Sequence, residues 1–138
     1  MSYLLDTNVI SELRKGQRGD PGLAAWFGDL VSDDLFLSVL TIGELRKGID
    51  GLARHDSRSA SILNRWLEMV VEGFGSRILA IDGRIAEEWG RMNVPTTLPA
   101  VDGLLAATAR VHGLTLVTRN TKHVSRTGVT CLNPFAAR

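Results

Sequence analysis

Short apolar runs alternate with longer amphipathic stretches along this chain, and the period of each predicts its secondary structure. The short runs have the length and the flanking turn residues of buried β-strands. They lie at residues 3–5, 35–39, 78–81, 114–117 and 129–132. In the longer stretches, apolar residues recur at the spacing of a helix with one buried face. These predicted helices lie at residues 9–14, 23–30, 41–52, 62–71, 85–92 and 102–112.

Strands that alternate with helices predict an α/β sandwich around a central, mostly parallel sheet of about five strands. We expect a single domain over residues 1–138, because no repeat, low-complexity tract or linker interrupts the pattern. The polar residues 51–59 are either a break between helices or a solvated helical stretch. Ligands of such folds bind at the carboxyl ends of the strands. Polar residues that follow a predicted strand should therefore share one edge of the sheet, and they include Asp6, residues 41–44, Asp82 and residues 118–120.

Composition narrows the class of protein without naming a function. The hydrophobic fraction of 44% and the charged fraction of 22% are those of an ordinary globular chain. A net charge of +1 produces no overall basic field that would indicate a nucleic-acid partner. Cys131 is the single cysteine, which excludes an intrachain disulfide and favours a reducing compartment. With no signal-peptide pattern and no apolar stretch near the roughly 20 residues of a membrane span, we expect a cytoplasmic protein.

Three carboxylates occupy positions where acids are unusual. Asp6 ends the first apolar run, Glu44 follows the second, and Asp102 opens the alanine-rich helix at 102–112. Burying an unpartnered acid costs several kcal/mol or more, so acids at the edges of core elements indicate a cluster that holds a cation. That helix is apolar nearly all round, which predicts that it is buried with its N-terminus at the same edge.

Helix capping is the alternative explanation for each acid. Asp6 could cap the helix that follows it, although Thr7 and Asn8 could cap equally well and leave Asp6 free. Residues 41–44 read Thr-Ile-Gly-Glu, a capping box in which Glu44 would reach back to the Thr41 amide. Local sequence alone favours that capping role for Glu44. Asp102 could likewise cap its own helix.

The donor chemistry points to a hard cation and to hydrolysis. Carboxylates brought together repel unless a cation neutralises them. Oxygen ligands favour Mg²⁺ or Mn²⁺, and the chain lacks the cysteine and histidine set of a zinc site. Thr118 and Asn120 follow the fourth predicted strand and offer further oxygens, whereas His123 alone is more typical of a surface residue. A Mg²⁺ site activates water and stabilises charge on a phosphodiester, which is nuclease chemistry.

Basic and polar residues near these positions predict a rim that tracks phosphates. Arg46 flanks Glu44, while Arg119 and Lys122 flank Asn120, and Asn8 follows Asp6. Trp26, Trp66 and Trp89 fall at apolar helical positions, and we expect them in the core.

Four blocks in order make the chain resemble the PIN-domain ribonucleases, specifically the VapC-like toxins of type II toxin–antitoxin pairs. The blocks are Tyr-Leu-Leu-Asp-Thr-Asn at 3–8, Thr-Ile-Gly-Glu-Leu-Arg-Lys-Gly at 41–48, Asp-Gly-Leu-Leu-Ala-Ala-Thr-Ala at 102–109 and Leu-Val-Thr-Arg-Asn at 116–120. The closing Leu-Asn-Pro-Phe at 132–135 is similar as well. Each block is weak alone, and the four together span nearly the whole chain.

The resemblance implies a PIN-like α/β/α sandwich and a Mg²⁺- or Mn²⁺-dependent endoribonuclease. Asp6, Glu44 and Asp102 match the family's metal-binding acids, and Thr7 or Asn8 and Thr118 match its accessory polar positions. Thr118 and Asn120 are the further residues expected to take part in catalysis. Many relatives carry an aspartate at position 120 or 123, and its absence here predicts one firmly held metal ion. The resemblance also implies a homodimer and a small antitoxin that blocks the acidic pocket. DNA would be contacted only through that antitoxin.

Two other functions stay open at this point. A degenerate PIN fold could serve as a protein-interaction module without nuclease activity, and the missing fourth acid motivates that reading. A haloacid-dehalogenase-like phosphatase also ends its first strand in an aspartate. That family usually has a second acid two residues later, where this chain has Asn8.

Overall fold

Strands and helices alternate along the chain in the computed structural model, which describes residues 1–136. In this part of the chain the strands are β1 (Tyr3–Leu5), β2 (Leu35–Ser38), β3 (Ile78–Leu79), β4 (Thr115–Val117) and β5 (Cys131–Leu132). The α-helices are α1 (Thr7–Leu13), α2 (Pro21–Gly28), α3 (Val39–Ala53), α4 (Ser57–Phe74), α5 (Gly83–Met92), α6 (Ala100–His112) and α7 (Thr121–Val124).

The described strands form one sheet in the order β3-β2-β1-β4-β5, and every neighbouring pair is parallel. The predicted α/β/α sandwich with a parallel sheet is confirmed. Strand β1 is central and lies between β2 and β4, where the strand order reverses. Ligands of open parallel sheets bind outside the carboxyl ends of the strands at such a switch point. The residues after β1, β2 and β4 therefore meet there.

Side chains of the central strands alternate between two hydrophobic cores, one on each face of the sheet. Leu5 and Val117 belong to the core packed against α1 to α4, whereas Leu4 and Leu116 belong to the core packed against α6 and α7. All four residues are buried. This follows from the two-residue period of a strand, which points successive side chains to opposite faces. Two covered faces leave the ends of the strands as the accessible part of the sheet.

Several predicted boundaries were wrong by a few residues. The predicted strands at 78–81 and 129–132 are shorter, because β3 and β5 lie at the sheet edges and pair on one side only. Helix α1 begins at Thr7 and α3 at Val39, both earlier than predicted. Residues 51–59 contain both alternatives, since α3 continues to Ala53 and a new helix starts at Ser57 with Asp56 as its cap.

Trp26 and Trp66 pack against the core as the sequence predicted, whereas Trp89 packs between two helices. Trp26 meets the ring of Tyr3 edge-on, with centroids 5.2 Å apart, and Trp66 packs against the same core. Trp89 of α5 lies against the first turn of α6, where Gly103 leaves room for it. A Cβ at position 103 would come within 3.1 Å of two atoms of the Trp89 indole. Helix α5 thus bears directly on the turn that carries Asp102.

Helix α4 has the strong amphipathic period that the sequence predicted at 62–71. It buries Ala60 and Leu67 and leaves Ile62 and Met69 exposed. Among residues 1–136, no helix combines the length and the apolar character required to cross a membrane.

Candidate active site

Asp6 ends the central strand and caps α1 at the same time. Its Oδ1 accepts a hydrogen bond from the Thr7 amide at 2.6 Å. Its Oδ2 accepts two side-chain bonds, from Thr118 Oγ1 at 2.7 Å and from Asn8 Nδ2 at 3.2 Å. Of the capping alternatives left open by the sequence, Asp6 is the one observed, because Thr7 and Asn8 lie inside the first turn of the helix. Capping and site formation are not alternatives here, since the two oxygens of one carboxylate serve the two roles.

Glu44 does not form the capping box that residues 41–44 predicted. Helix α3 begins at Val39, and its cap is Ser38, whose Oγ accepts from the Leu40 amide at 3.1 Å. Thr41 is therefore a buried residue of the first helical turn and not the cap of the helix. Glu44 Oε1 instead accepts a hydrogen bond from Thr7 Oγ1. That bond joins the helix after β2 to the end of β1.

Asp102 lies in the first turn of α6, whose cap is Pro99, so the predicted capping role for Asp102 was also wrong. The helix is buried along most of its length, as its apolar sequence predicted. Burial raises the pKa of the Asp102 carboxyl, and the nearby charges of Asp6 and Glu44 raise it further, while His123 acts in the opposite direction. The three predicted acids therefore share one electrostatic field, although they come from three different elements.

Thr118 lies beside Asp6 because of the strand register. Leu5 pairs with Val117, so the next residues of β1 and β4 are neighbours at the carboxyl edge. Thr118 is buried, and its Oγ1 accepts from the Asn120 amide at 3.0 Å while it donates to Asp6. Accepting one bond directs the hydroxyl hydrogen toward the carboxylate.

Asn120 and His123 lie at the start of α7 and within it, after the end of β4. Asn120 is exposed at the start of α7, and its side chain makes no capping bond. His123 is half-buried on α7 and close enough to Asp102 to influence its pKa. His123 could be recognised only from the fold, because the packing of α7 beside α6 brings its ring near Asp102.

The predicted rim residues are not gathered into one surface. Asn8 lies inside the site, where it bonds Asp6 and accepts from the Arg119 amide at 3.3 Å. Arg46 binds Asp50 at 3.3 Å and Asn64 at 2.8 Å, on the surface between α3 and α4.

The Arg119 guanidinium lies 4.0 Å from the centre of the Phe135 ring. Lys122 is exposed on α7. Asp82 caps α5 beyond the sheet-edge strand β3, and its charge is not among those that act on Asp102.

The residues present fit a hard divalent cation held with water. Within residues 1–136, no lysine or arginine forms an ion pair with Asp6, Glu44 or Asp102. In the same part of the chain, no three histidine, cysteine, aspartate or glutamate side chains converge tightly enough to enclose a metal ion alone. Mg²⁺ is bound by one or two carboxylates and keeps several waters, so an open oxygen site suits it. It does not suit Zn²⁺, which prefers a closed set of nitrogen and sulfur ligands.

Comparison with known proteins decides the family. Residues 3–129 match the family model for the PIN domain. This chain belongs to the PIN-domain family. The family membership expected from the sequence is therefore confirmed. The haloacid-dehalogenase-like phosphatase is excluded, because it belongs to a different family.

Relatives of this PIN-domain chain match nearly its whole length. Toxin FitB of Neisseria gonorrhoeae is 34% identical over 138 residues, which cover 96% of this chain and 97% of FitB. The VapC ribonuclease Y4jK of Sinorhizobium fredii is 31% identical over 137 residues, which cover 96% of each. A structure of FitAB bound to the IR36 DNA fragment matches with a TM-score of 0.86 at 31% identity, covering 99% of this chain and 97% of that chain.

Replacing Thr118 with valine should test the link between Thr118 and Asp6. Valine keeps the shape of threonine and removes the hydroxyl, so Asp6 Oδ2 would lose its shorter hydrogen bond. Loss of a group that orients a metal ligand typically costs about 10- to 100-fold in metal affinity or activity. We expect a fall of that size in Mn²⁺ affinity, measured by isothermal titration calorimetry. The buried Thr108→Val variant is the matched control, because its hydroxyl bonds only the Leu104 carbonyl of its own helix. Equal losses in both variants would contradict the prediction.

Proposed function

We propose that this PIN-domain chain is a Mg²⁺- or Mn²⁺-dependent endoribonuclease and the toxin of a toxin–antitoxin pair. One observation carries the proposal. Burial and the charges of Asp6 and Glu44 raise the pKa of Asp102, and no lysine or arginine among residues 1–136 pairs with these acids. A cluster of this kind is stabilised by a cation. Similarity to one protein named a toxin and another named a ribonuclease supports RNA as the substrate.

Asp6, Glu44 and Asp102 are the residues that would hold the ion. When bound, a hard divalent ion supplies a more acidic water and stabilises charge on the phosphodiester under attack. We propose one firmly held ion, because positions 120 and 123 carry asparagine and histidine in place of another carboxylate.

The protein's own part is to orient the carboxylates before RNA arrives. Thr118 and Asn8 both donate to one oxygen of Asp6, which fixes the plane of that carboxylate. Thr7, which follows Asp6 in the chain, donates to Glu44 Oε1 and so orients that carboxylate. Preorganised ligands lower the reorganisation required at the moment of reaction. Asn120 contributes through its backbone, which orients the Thr118 hydroxyl.

A small antitoxin protein is the proposed partner, and it would inhibit the nuclease by covering the acidic pocket. Support comes from the similarity to FitB, which is named a toxin, and from the structure of FitAB bound to a DNA fragment. We propose that any contact with DNA is made through the antitoxin and that the toxin forms a homodimer. An RNA substrate would place this activity in the cytoplasm.

Metal-dependent cleavage of RNA by the purified chain tests the function. We expect cleavage of a mixed RNA pool with Mg²⁺ or Mn²⁺, and at least a ~100-fold loss in EDTA, because the ion supplies several kcal/mol of charge stabilisation. Restoring either ion should restore cleavage, and sequencing of the new ends would identify the preferred site. A folded wild type that binds Mn²⁺ and cuts no RNA would contradict the proposal and favour an interaction module.

A further inference from the structure

The last described residues of the chain hold Arg119, which lies between two residues of the site. We call residues 133–136 the C-terminal clasp. The Phe135 ring lies under the Arg119 guanidinium at 4.0 Å, within the range of a cation–π contact. Asn133 Nδ2 donates to the Arg119 carbonyl at 3.5 Å, and Asn133 Oδ1 accepts from the Phe135 amide at 3.1 Å. Both the side chain and the backbone of Arg119 are therefore in contact with the clasp.

The clasp is itself anchored on the first turn of α2. The Ala136 amide donates to Asp20 Oδ2 at 2.8 Å, and the same oxygen caps α2 through the Leu23 amide at 2.9 Å. Gly22 allows the backbone of the clasp to approach. A Cβ at position 22 would lie 2.6 Å from the Ala136 nitrogen and 2.8 Å from the Pro134 carbonyl oxygen. Backbone packed against backbone at this distance gives the clasp a defined position.

Both side-chain donors to Asp6 Oδ2 are connected to the segment that the clasp holds. Thr118 donates directly and precedes Arg119 in the chain. Asn8 donates as well, and its Oδ1 accepts from the Arg119 amide. The Thr118 amide in turn donates to the Leu132 carbonyl, one residue before the clasp. A shift of residues 118 and 119 would therefore move both side-chain hydrogen bonds to Asp6 Oδ2.

The Arg119 charge acts on two carboxylates other than the three acids of the site. It contributes to lowering the pKa of Glu12 and of Asp20, behind the largest causes, which are the hydrogen bonds from Lys15 and from the Ala136 amide. It is not among the charges that act on Asp102. The guanidinium is thus stacked on Phe135 of the clasp, and this position does not favour the phosphate-contact role predicted from the sequence.

We propose that the C-terminal clasp is a positioning element of the active site. It holds Arg119 through Phe135 and so fixes Thr118 and Asn8, which orient the Asp6 carboxylate. Arg119 is then a positioning residue and not a phosphate contact. The nuclease part of this inference rests on the proposed function, whereas the effect on metal binding does not require RNA cleavage.

The Phe135→Ala variant separates positioning from phosphate contact, because it leaves the Arg119 charge intact. Removing a group that orients a ligand typically costs about 10- to 100-fold, so we expect kcat and Mn²⁺ affinity each to fall by at least ~10-fold. The KM for RNA should stay within about twofold, because no binding group is removed from the transition state or the ground state. Phe135→Tyr keeps the ring and should retain near wild-type values. The matched control is Phe27→Ala, which removes a partly exposed ring from α2 that is absent from the contacts described above.

Each outcome of these measurements supports or overturns the positioning role of the clasp. A Phe135→Ala variant with wild-type Mn²⁺ affinity, with a raised KM alone, or with losses equal to those of Phe27→Ala would overturn the inference. If Phe135→Ala fails to fold, Arg119→Lys decides instead, since it keeps the charge and loses the planar stacking on Phe135. That variant should also lower Mn²⁺ affinity, and an unchanged affinity would overturn the inference. A wild type that binds Mn²⁺ and cuts no RNA contradicts only the proposed function, and the Mn²⁺ titrations then decide on the clasp.

Discussion

Asp6→Asn should reduce RNA cleavage by about 1,000-fold or more, because the several kcal/mol of charge stabilisation from a bound ion depends on its carboxylates. Asparagine keeps the shape of the side chain, and its carbonyl oxygen can still accept one of the bonds that Asp6 receives. What the substitution removes is the charge at the end of the central strand. The measurement is single-turnover cleavage of a fixed RNA, together with Mn²⁺ affinity by calorimetry.

Asp82→Asn is the matched control for that experiment. Asp82 also follows a strand, and it caps α5 through the Ile85 amide at 3.0 Å, much as Asp6 caps α1. Little loss of stability is expected from the cap in either variant, because asparagine and aspartate are about equally good N-cap residues. Only Asp6→Asn should lose cleavage and metal affinity. Comparable activity losses in the two variants would show that capping, and not a metal site, explains the role of Asp6.

Asp102→Asn should abolish metal-dependent cleavage and at the same time increase the stability of the metal-free protein at neutral pH. The pKa of the Asp102 carboxyl is raised in the folded chain by burial and by the charges of Asp6 and Glu44. The folded state then binds the proton more tightly than the unfolded state does. Above the folded pKa, the ionised carboxylate opposes folding, and an amide removes that cost. The gain should be about 1 kcal/mol or less, because solvent screens a partly exposed charge.

The stability difference between wild type and Asp102→Asn should depend on pH, with a sign that follows from the raised pKa of Asp102. Below the ordinary aspartate pKa, the carboxyl is protonated in both states, and it then contributes no difference of charge between wild type and variant. As the pH rises from there to the raised folded pKa, the wild type should lose stability relative to Asp102→Asn, and the difference should then stay constant. Thermal unfolding in EDTA across this range measures it. A wild type that gains stability relative to the variant over the same range would contradict the prediction. Saturating Mn²⁺ should reverse the order at neutral pH, because only the wild type binds the ion and is stabilised by it.

Glu44 shows where local sequence misleads. Residues 41–44 have the pattern of a capping box, and nothing within that block argues against it. The helix starts earlier because β2 ends at Ser38 and the serine caps α3 immediately. Thr41 is then buried, and Glu44 bonds Thr7 on a different element. The true partner lies 37 residues away, beyond the reach of any pattern of three or four residues.

The predicted rim residues also depend on distant groups. Arg46 and Arg119 stand beside predicted site residues in the chain, but the direction of each long side chain depends on distant groups. Asn64 of α4 binds Arg46, and Phe135 stacks on Arg119. Adjacency in sequence predicts only the position of a Cα atom, whereas an arginine head extends well beyond it to the charged, polar or aromatic group that binds it best.

The sequence by itself determined the order of strands and helices, the parallel sheet and the meeting of Asp6 with Thr118 at one edge. Those features depend on hydrophobic period and on parallel pairing, which are local or nearly local properties. Three features were decided by the tertiary structure alone. Glu44 has no capping role, His123 lies near Asp102, and Phe135 at the end of the chain stacks on Arg119. Each of these depends on contacts between residues far apart in the chain, whose geometry is set by how the helices pack on the sheet.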